Sequence, residues 1–225
     1  MINKNLATVA IAIAAATLCG SSFADVGIGA RAGTTGAGLD LGFSLVPTLA
    51  ARLGYSEFSL DRNFSSSDAS YKGTLKLSNF SALLDWSPLG PLRLSAGLVA
   101  DNNKVNITAT PQSGNFSLNG TNYDTTQLGS VTGTVKPKNS VAQYLGVGYG
   151  NVSGLGINFY ADFGAMFQGG AKSSLSANCG PAAPAGSATC NQIQSNVAGE
   201  QNSINNKVSG FKVWPVANIG LTVGF

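Results

Sequence analysis

The chain has 225 residues, of which only 10% are charged, 29 are glycine and none is histidine. Soluble domains carry about 25% charged residues and helical membrane proteins show apolar runs of about 20 residues, so this composition fits neither class. A net charge of +3 is too small to point to nucleic acid. Low charge, abundant glycine and short apolar stretches suit a membrane sheet, in which apolar and small polar residues alternate.

Lys4 supplies a positive n-region, residues 6–18 an apolar h-region, and Ser22-Phe23-Ala24 the small residues that signal peptidase reads. Residues 1–24 are therefore expected to be a cleaved secretory signal peptide. Cleavage also removes Cys19. The two remaining cysteines, Cys179 and Cys190, read as a disulfide in an exported chain.

Period-two alternation, the mark of a sheet with two unlike faces, then recurs in eight segments. Val26, Ile28, Ala30 and Ala32 alternate with glycines and Arg31. Leu39, Leu41, Phe43 and Leu45 flank Asp40, Gly42 and Ser44. Leu49, Ala51, Leu53 and Tyr55 flank Ala50, Arg52 and Gly54. Residues 71–86 form a long fourth segment whose phase shifts between Leu75-x-Leu77 and Phe80-x-Ala82-x-Leu84-x-Trp86, which predicts a β-bulge near Ser78-Asn79. Leu92 to Ala100 alternates with Arg93, Ser95, Gly97, Val99 and Asp101. Val141, Leu145, Val147 and Tyr149 oppose Tyr144 and three glycines. Odd residues 157–167 are apolar against Asn158, Tyr160, Asp162 and Gly164, and odd residues 211–225 are apolar against Lys212, Trp214 and Asn218.

Short links at residues 46–48, 87–91 and 151–154 alternate with long ones at 61–69, 108–139 and 169–209, while the link at 34–36 is short and departs from that pattern. Short turns on one side and long loops on the other are the pattern of bacterial membrane barrels. Within the second long loop, Asn119-Gly120 after Phe116-Ser117-Leu118 predicts a two-residue hairpin. The third is rich in Ser, Ala, Pro and Asn and reads as mobile apart from its disulfide, with a helical turn or two over residues 194–207.

The final strand, Asn218-Ile219-Gly220-Leu221-Thr222-Val223-Gly224-Phe225, resembles the terminal strand of Gram-negative outer-membrane barrels. In that class a last aromatic, here Phe225, is the signal recognised by the barrel-assembly machinery. The chain as a whole is similar to the small eight-stranded family of opacity-type antigens and OmpW-like proteins. The resemblance implies an all-β, eight-stranded antiparallel transmembrane barrel over residues 25–225, both termini periplasmic, set among outer-membrane lipid and lipopolysaccharide.

Lipid offers no hydrogen bonds, so a membrane sheet must close on itself and turn its apolar parity outward. The charged parity then faces a lumen which, with eight strands, side chains can fill. It holds Arg31, Arg52, Arg93 and Lys212 against Asp40, Asp85, Asp101 and Asp162, a balanced set expected to form a buried network. Inward glycines at 97, 146, 148, 150 and 164 leave room for Tyr144, Tyr160, Trp214 and the arginines. Phe43, Trp86, Tyr149 and Phe225 are expected in one interfacial girdle, and Tyr55, Phe167 and Phe211 in the other.

Without histidine the usual base for activating a serine is missing, so no catalytic residue is expected. Metal binding at the cysteines lacks partners, and no cofactor is expected. Two functions are in play: a side-chain-plugged barrel that anchors surface-interacting loops, whose ligand is unknown, or a narrow OmpW-like channel for small or apolar solutes. A periplasmic lipocalin-like barrel is the third, more distant reading.

Overall fold

A computed structural model of the chain describes residues 25–66, 69–112 and 114–225. The expected signal peptide lies outside these residues. In chain order the elements are β1 (Val26–Gly33), β2 (Gly36–Val46), β3 (Leu49–Ser65), β4 (Ala69–Leu89), β5 (Leu92–Asp101), β6 (Lys104–Pro111), β7 (Asn115–Leu118), β8 (Thr121–Asp124), β9 (Leu128–Pro137), β10 (Val141–Tyr149), β11 (Gly156–Phe167), β12 (Ala171–Cys179), α1 (Ala188–Val208) and β13 (Val213–Gly224).

Eight of the strands close a ring in the order β4-β3-β2-β1-β13-β11-β10-β5, with β5 returning to β4. Every pairing is antiparallel. These are the eight segments of alternating sequence. Closure leaves the ring no free edge. Both ends of the described chain lie at one end of the barrel, where Val26 and Phe225 exchange backbone hydrogen bonds of 3.1 and 3.0 Å.

Outside and inside follow the alternation. Phe163, Ile219, Leu145 and Trp86 are all at least half exposed on the outer wall, while Arg52, Asp85, Asp162 and Thr222 are inside with 2% exposure or less. The soluble rule of polar outside and apolar inside is thus inverted along the ring. Tyr149 and Phe225 lie outward at the end that holds the chain ends, and Tyr55 and Phe167 outward nearer the other.

The predicted bulge near Ser78-Asn79 is absent. The β3–β4 register runs unbroken from Leu49↔Trp86 to Ser65↔Ser70. The phase change at Leu75 and Leu77 has another cause. Above the ring, the inward parity of β4 no longer meets charged lumen residues, so apolar side chains take it over.

The long links are also more ordered than expected. Residues 61–65 continue β3, and β4 begins at Ala69, so the two strands stay paired as far as Ser65↔Ser70. Strand β6 extends β5 past Asn102-Asn103 and pairs with the upper half of β4. Next come β9 and β12, which lead into β10 and out of β11 respectively. One side of the barrel wall therefore continues upward as a five-stranded curtain. Its inner face carries α1, which packs on β12 and starts from the Ser187 cap, whose hydroxyl accepts from the Cys190 amide at 3.1 Å. The expected hairpin is present as β7 and β8, and Asn119 and Gly120 both take positive φ (49° and 79°), as a type I′ turn requires. Leu118, Tyr123, Leu128, Val131, Ile193 and Val197 form a small second core between hairpin, curtain and helix. The Cys179–Cys190 disulfide joins the end of β12 to the first turn of α1.

Candidate functional site

The barrel interior holds the chemistry. Four strands each bring one charged side chain to a common level: Arg52 from β3, Asp85 from β4, Arg93 from β5 and Asp162 from β11. Arg52 reaches Asp85 at 3.0 Å and Asp162 at 2.6 Å. Arg93 reaches Asp85 at 3.4 Å and also pairs with Asp162. Each arginine thus bridges both carboxylates, and the square ties opposite walls together. Tyr160 lies under it, with the two guanidinium carbons 5.5 and 5.4 Å from its ring centre. Its hydroxyl donates to Asp40, which is paired at 3.1 Å with Arg31. Three cations and three carboxylates therefore neutralise one another inside the ring.

Glycines make this packing possible. A Cβ at Gly220 would strike the Tyr160 ring, and one at Gly54 would strike the Asp40 carboxylate. Gly146 and Gly164 clear space for the Tyr144 hydroxyl, and Gly148 for Asp162 and Arg93.

Two predicted network members stand apart. Asp101 is buried, but its carboxylate accepts from the Asn103 amide at 3.0 Å and makes no ion pair among the described residues. Lys212 is exposed and lies one residue before β13, outside the lumen. Inward parity extrapolated past the strand's end placed it wrongly.

Two further layers were not foreseen, although several residues of the first, Val99, Tyr144 and Trp214 among them, were on the inward parity. Between the charged square and Asp101 lies an apolar plate of Leu83, Val99, Ala142, Tyr144, Met166 and Val216, with Trp214 at its edge. At the other end the link from β10 to β11 folds into the barrel mouth. Its Val152 is 2% exposed, and its carbonyl sits where a Cβ on Gly27 or Gly42 would have to go. Those two glycines were the available signal.

A cavity of about 1100 Å³ opens at this end between the turns and reaches Asp85 and Arg93. Beyond them a void of only about 20 Å³ is lined by polar and apolar residues together, Arg31, Asn79, Ser81 and Asp162 as well as Leu83 and Val99. No cluster of His, Cys, Asp or Glu among the described residues could hold a metal ion.

The fold resembles that of two solved proteins of Acinetobacter baumannii. CarO2 aligns with 91% of this chain and 100% of its own at 21% identity and a TM-score of 0.58. CarO aligns with 89% of this chain and 98% of its own at 22% identity and a TM-score of 0.55. At such identities the likeness concerns the fold alone. No protein-family model matches the sequence, and no curated protein does.

Proposed function

We propose that the protein is an outer-membrane barrel whose lumen is closed by its own side chains and whose curtain and helix form a surface-interaction module. The observation that carries this reading is the neutral square of Arg52, Asp85, Arg93 and Asp162, buried inside a ring whose outer wall is apolar. A closed ring is the sheet form that satisfies every backbone group in lipid. Paired charges at its centre cost far less than unpaired ones. The apolar plate adds a second barrier to ions and water. With Phe225 and the short turns at one end, that end is the periplasmic side and the curtain stands outside the cell.

The second reading, a narrow channel, draws on the cavity that reaches Asp85 and Arg93. It needs the square and the plate to part. Purified protein in planar bilayers is expected to show no persistent discrete openings. Steps that recur in protein free of other porins, and that change when Val99 is enlarged to Phe, would favour the channel and overturn the closed lumen.

A further inference from the structure

The outer face of the curtain carries a line of lysines that make no ion pair among the described residues. Lys76 on β4 stands directly opposite Lys104 on β6, and Lys136 on β9 directly opposite Lys172 on β12. Lys104 and Lys136 are neighbours as well, one step beyond the Val105↔Val135 pair that joins their strands. Four lysines therefore cross four adjacent strands in one row, and all four are exposed. Like charges directly opposite one another destabilise a sheet. Two carboxylates share the face, Glu57 and Asp61 on β3, diagonal to Lys76. They accept from the hydroxyls of Tyr55 at 2.8 Å and Thr74 at 2.6 Å. Around the other three lysines the same face offers a further cation, Lys72 opposite Thr108, and the uncharged Asn106, Thr108, Thr132, Thr134 and Ser174, with no carboxylate among the described residues. Protection of a sheet edge accounts for Lys172 alone, because β6 and β9 are interior strands.

The row's position is as telling as its charge. It lies on the face that continues the apolar outer wall. Lys76 precedes Phe80 by four residues and Lys104 follows Ala100 by four, while Lys136 precedes Val141 by five and Lys172 follows Phe167 by five. At about 3.3 Å per residue, each lysine stands about 13–17 Å along its strand beyond an outward-facing residue of the barrel wall, and because the strands tilt the row climbs obliquely away from the apolar belt. Long lysine stems let the ammonium groups reach down to a headgroup layer.

We infer that Lys76, Lys104, Lys136 and Lys172 form a binding row for the phosphate groups of the glycolipid in the outer leaflet. The inference rests on the membrane reading above. A row of ammonium groups, three of them on interior strands and none in an ion pair among the described residues, is completed by a row of phosphates, and neighbouring lipid molecules around a barrel supply one.

The test uses the full mature barrel in nonionic detergent and native mass spectrometry of retained lipid. Wild-type protein is expected to retain bisphosphorylated lipid A, to retain the same lipid stripped of its phosphates at least about tenfold less well, and to lose the difference at high salt. The variant carrying K76Q, K104Q, K136Q and K172Q should bind both forms alike, whereas K207Q with K212Q should behave as wild type. Millimolar inorganic phosphate should leave retention unchanged, since one phosphate cannot span the row; full displacement by it would assign the site to free phosphate and overturn the lipid source. Equal retention of the two lipids by wild-type protein would overturn the proposal without any variant. Insertion into phosphatidylcholine nanodiscs is scored separately. Inserted protein without phosphate preference sinks the row alone, and protein that does not insert sinks the membrane reading and the row together.

Discussion

Replacing Arg52 with methionine is expected to destabilise the barrel by about 3–5 kcal/mol, the cost of stripping one partner from a buried ion pair. Arg52 is 1% exposed and holds both Asp85 and Asp162. Without it two carboxylates share Arg93, and the interior carries an uncompensated negative charge. Methionine keeps most of the volume, so the loss reports charge rather than a cavity. Adding Asp85→Asn to Arg52→Met restores neutrality and should recover more than half of the loss. Urea unfolding of folded protein in lipid, followed by heat-modifiable gel migration, reads both values. A loss under about 1 kcal/mol for Arg52→Met would mean that water hydrates the square, as only solvated pairs are so cheap, and the lumen would then be open.

Leu221→Arg should be comparably damaging for the opposite reason. Leu221 faces outward on β13, and an arginine on the lipid face costs about 2–4 kcal/mol at mid-membrane. The adjacent position separates the two faces. Parity alone makes Thr222→Arg look mild, because it points to the lumen. The packing says otherwise: Thr222 is fully buried, and its side chain already fills the space where a Cβ on Gly29 would lie. An arginine there has neither room nor a partner. The informative change is Thr222→Val. The Thr222 hydroxyl has no hydrogen-bond partner among the described residues, so its removal should be neutral or slightly stabilising. Folded yield and urea midpoint in the same lipid give the comparison. Equal tolerance of Leu221→Arg and Thr222→Val would contradict the assignment of faces.

The eight ring strands were legible in the sequence because a membrane sheet carries its burial pattern in alternate residues. Arg31, Asp40, Arg52, Asp85, Arg93 and Asp162 could be found for the same reason: an ionised residue in an apolar alternation has one place to go. The apolar plate was legible only in part. Alternation turns Val99, Tyr144, Met166, Trp214 and Val216 inward, but nothing in one strand's sequence says that these residues from different strands meet in one layer. The curtain was hidden by its chemistry. Residues 104–111, 128–137 and 171–179 are Thr-, Ser- and Lys-rich, and such stretches read as loops when their weak alternation is not set against a neighbour's register. The helix was shorter in expectation than in fact, since residues 188–193 include the disulfide and resemble the Ser- and Ala-rich segment before them. Lys212 went wrong at a strand end, where alternation stops carrying information.

Everything rests on which side chains meet hydrocarbon. The direct measurement is the set of nuclear Overhauser contacts between lipid acyl chains and methyl groups of wild-type protein in nanodiscs. The account predicts strong contacts to Leu145, Val147, Ile219 and Leu221, and none to Leu83, Val99 or Val216. Acyl contacts to the second group with silence from the first would contradict it.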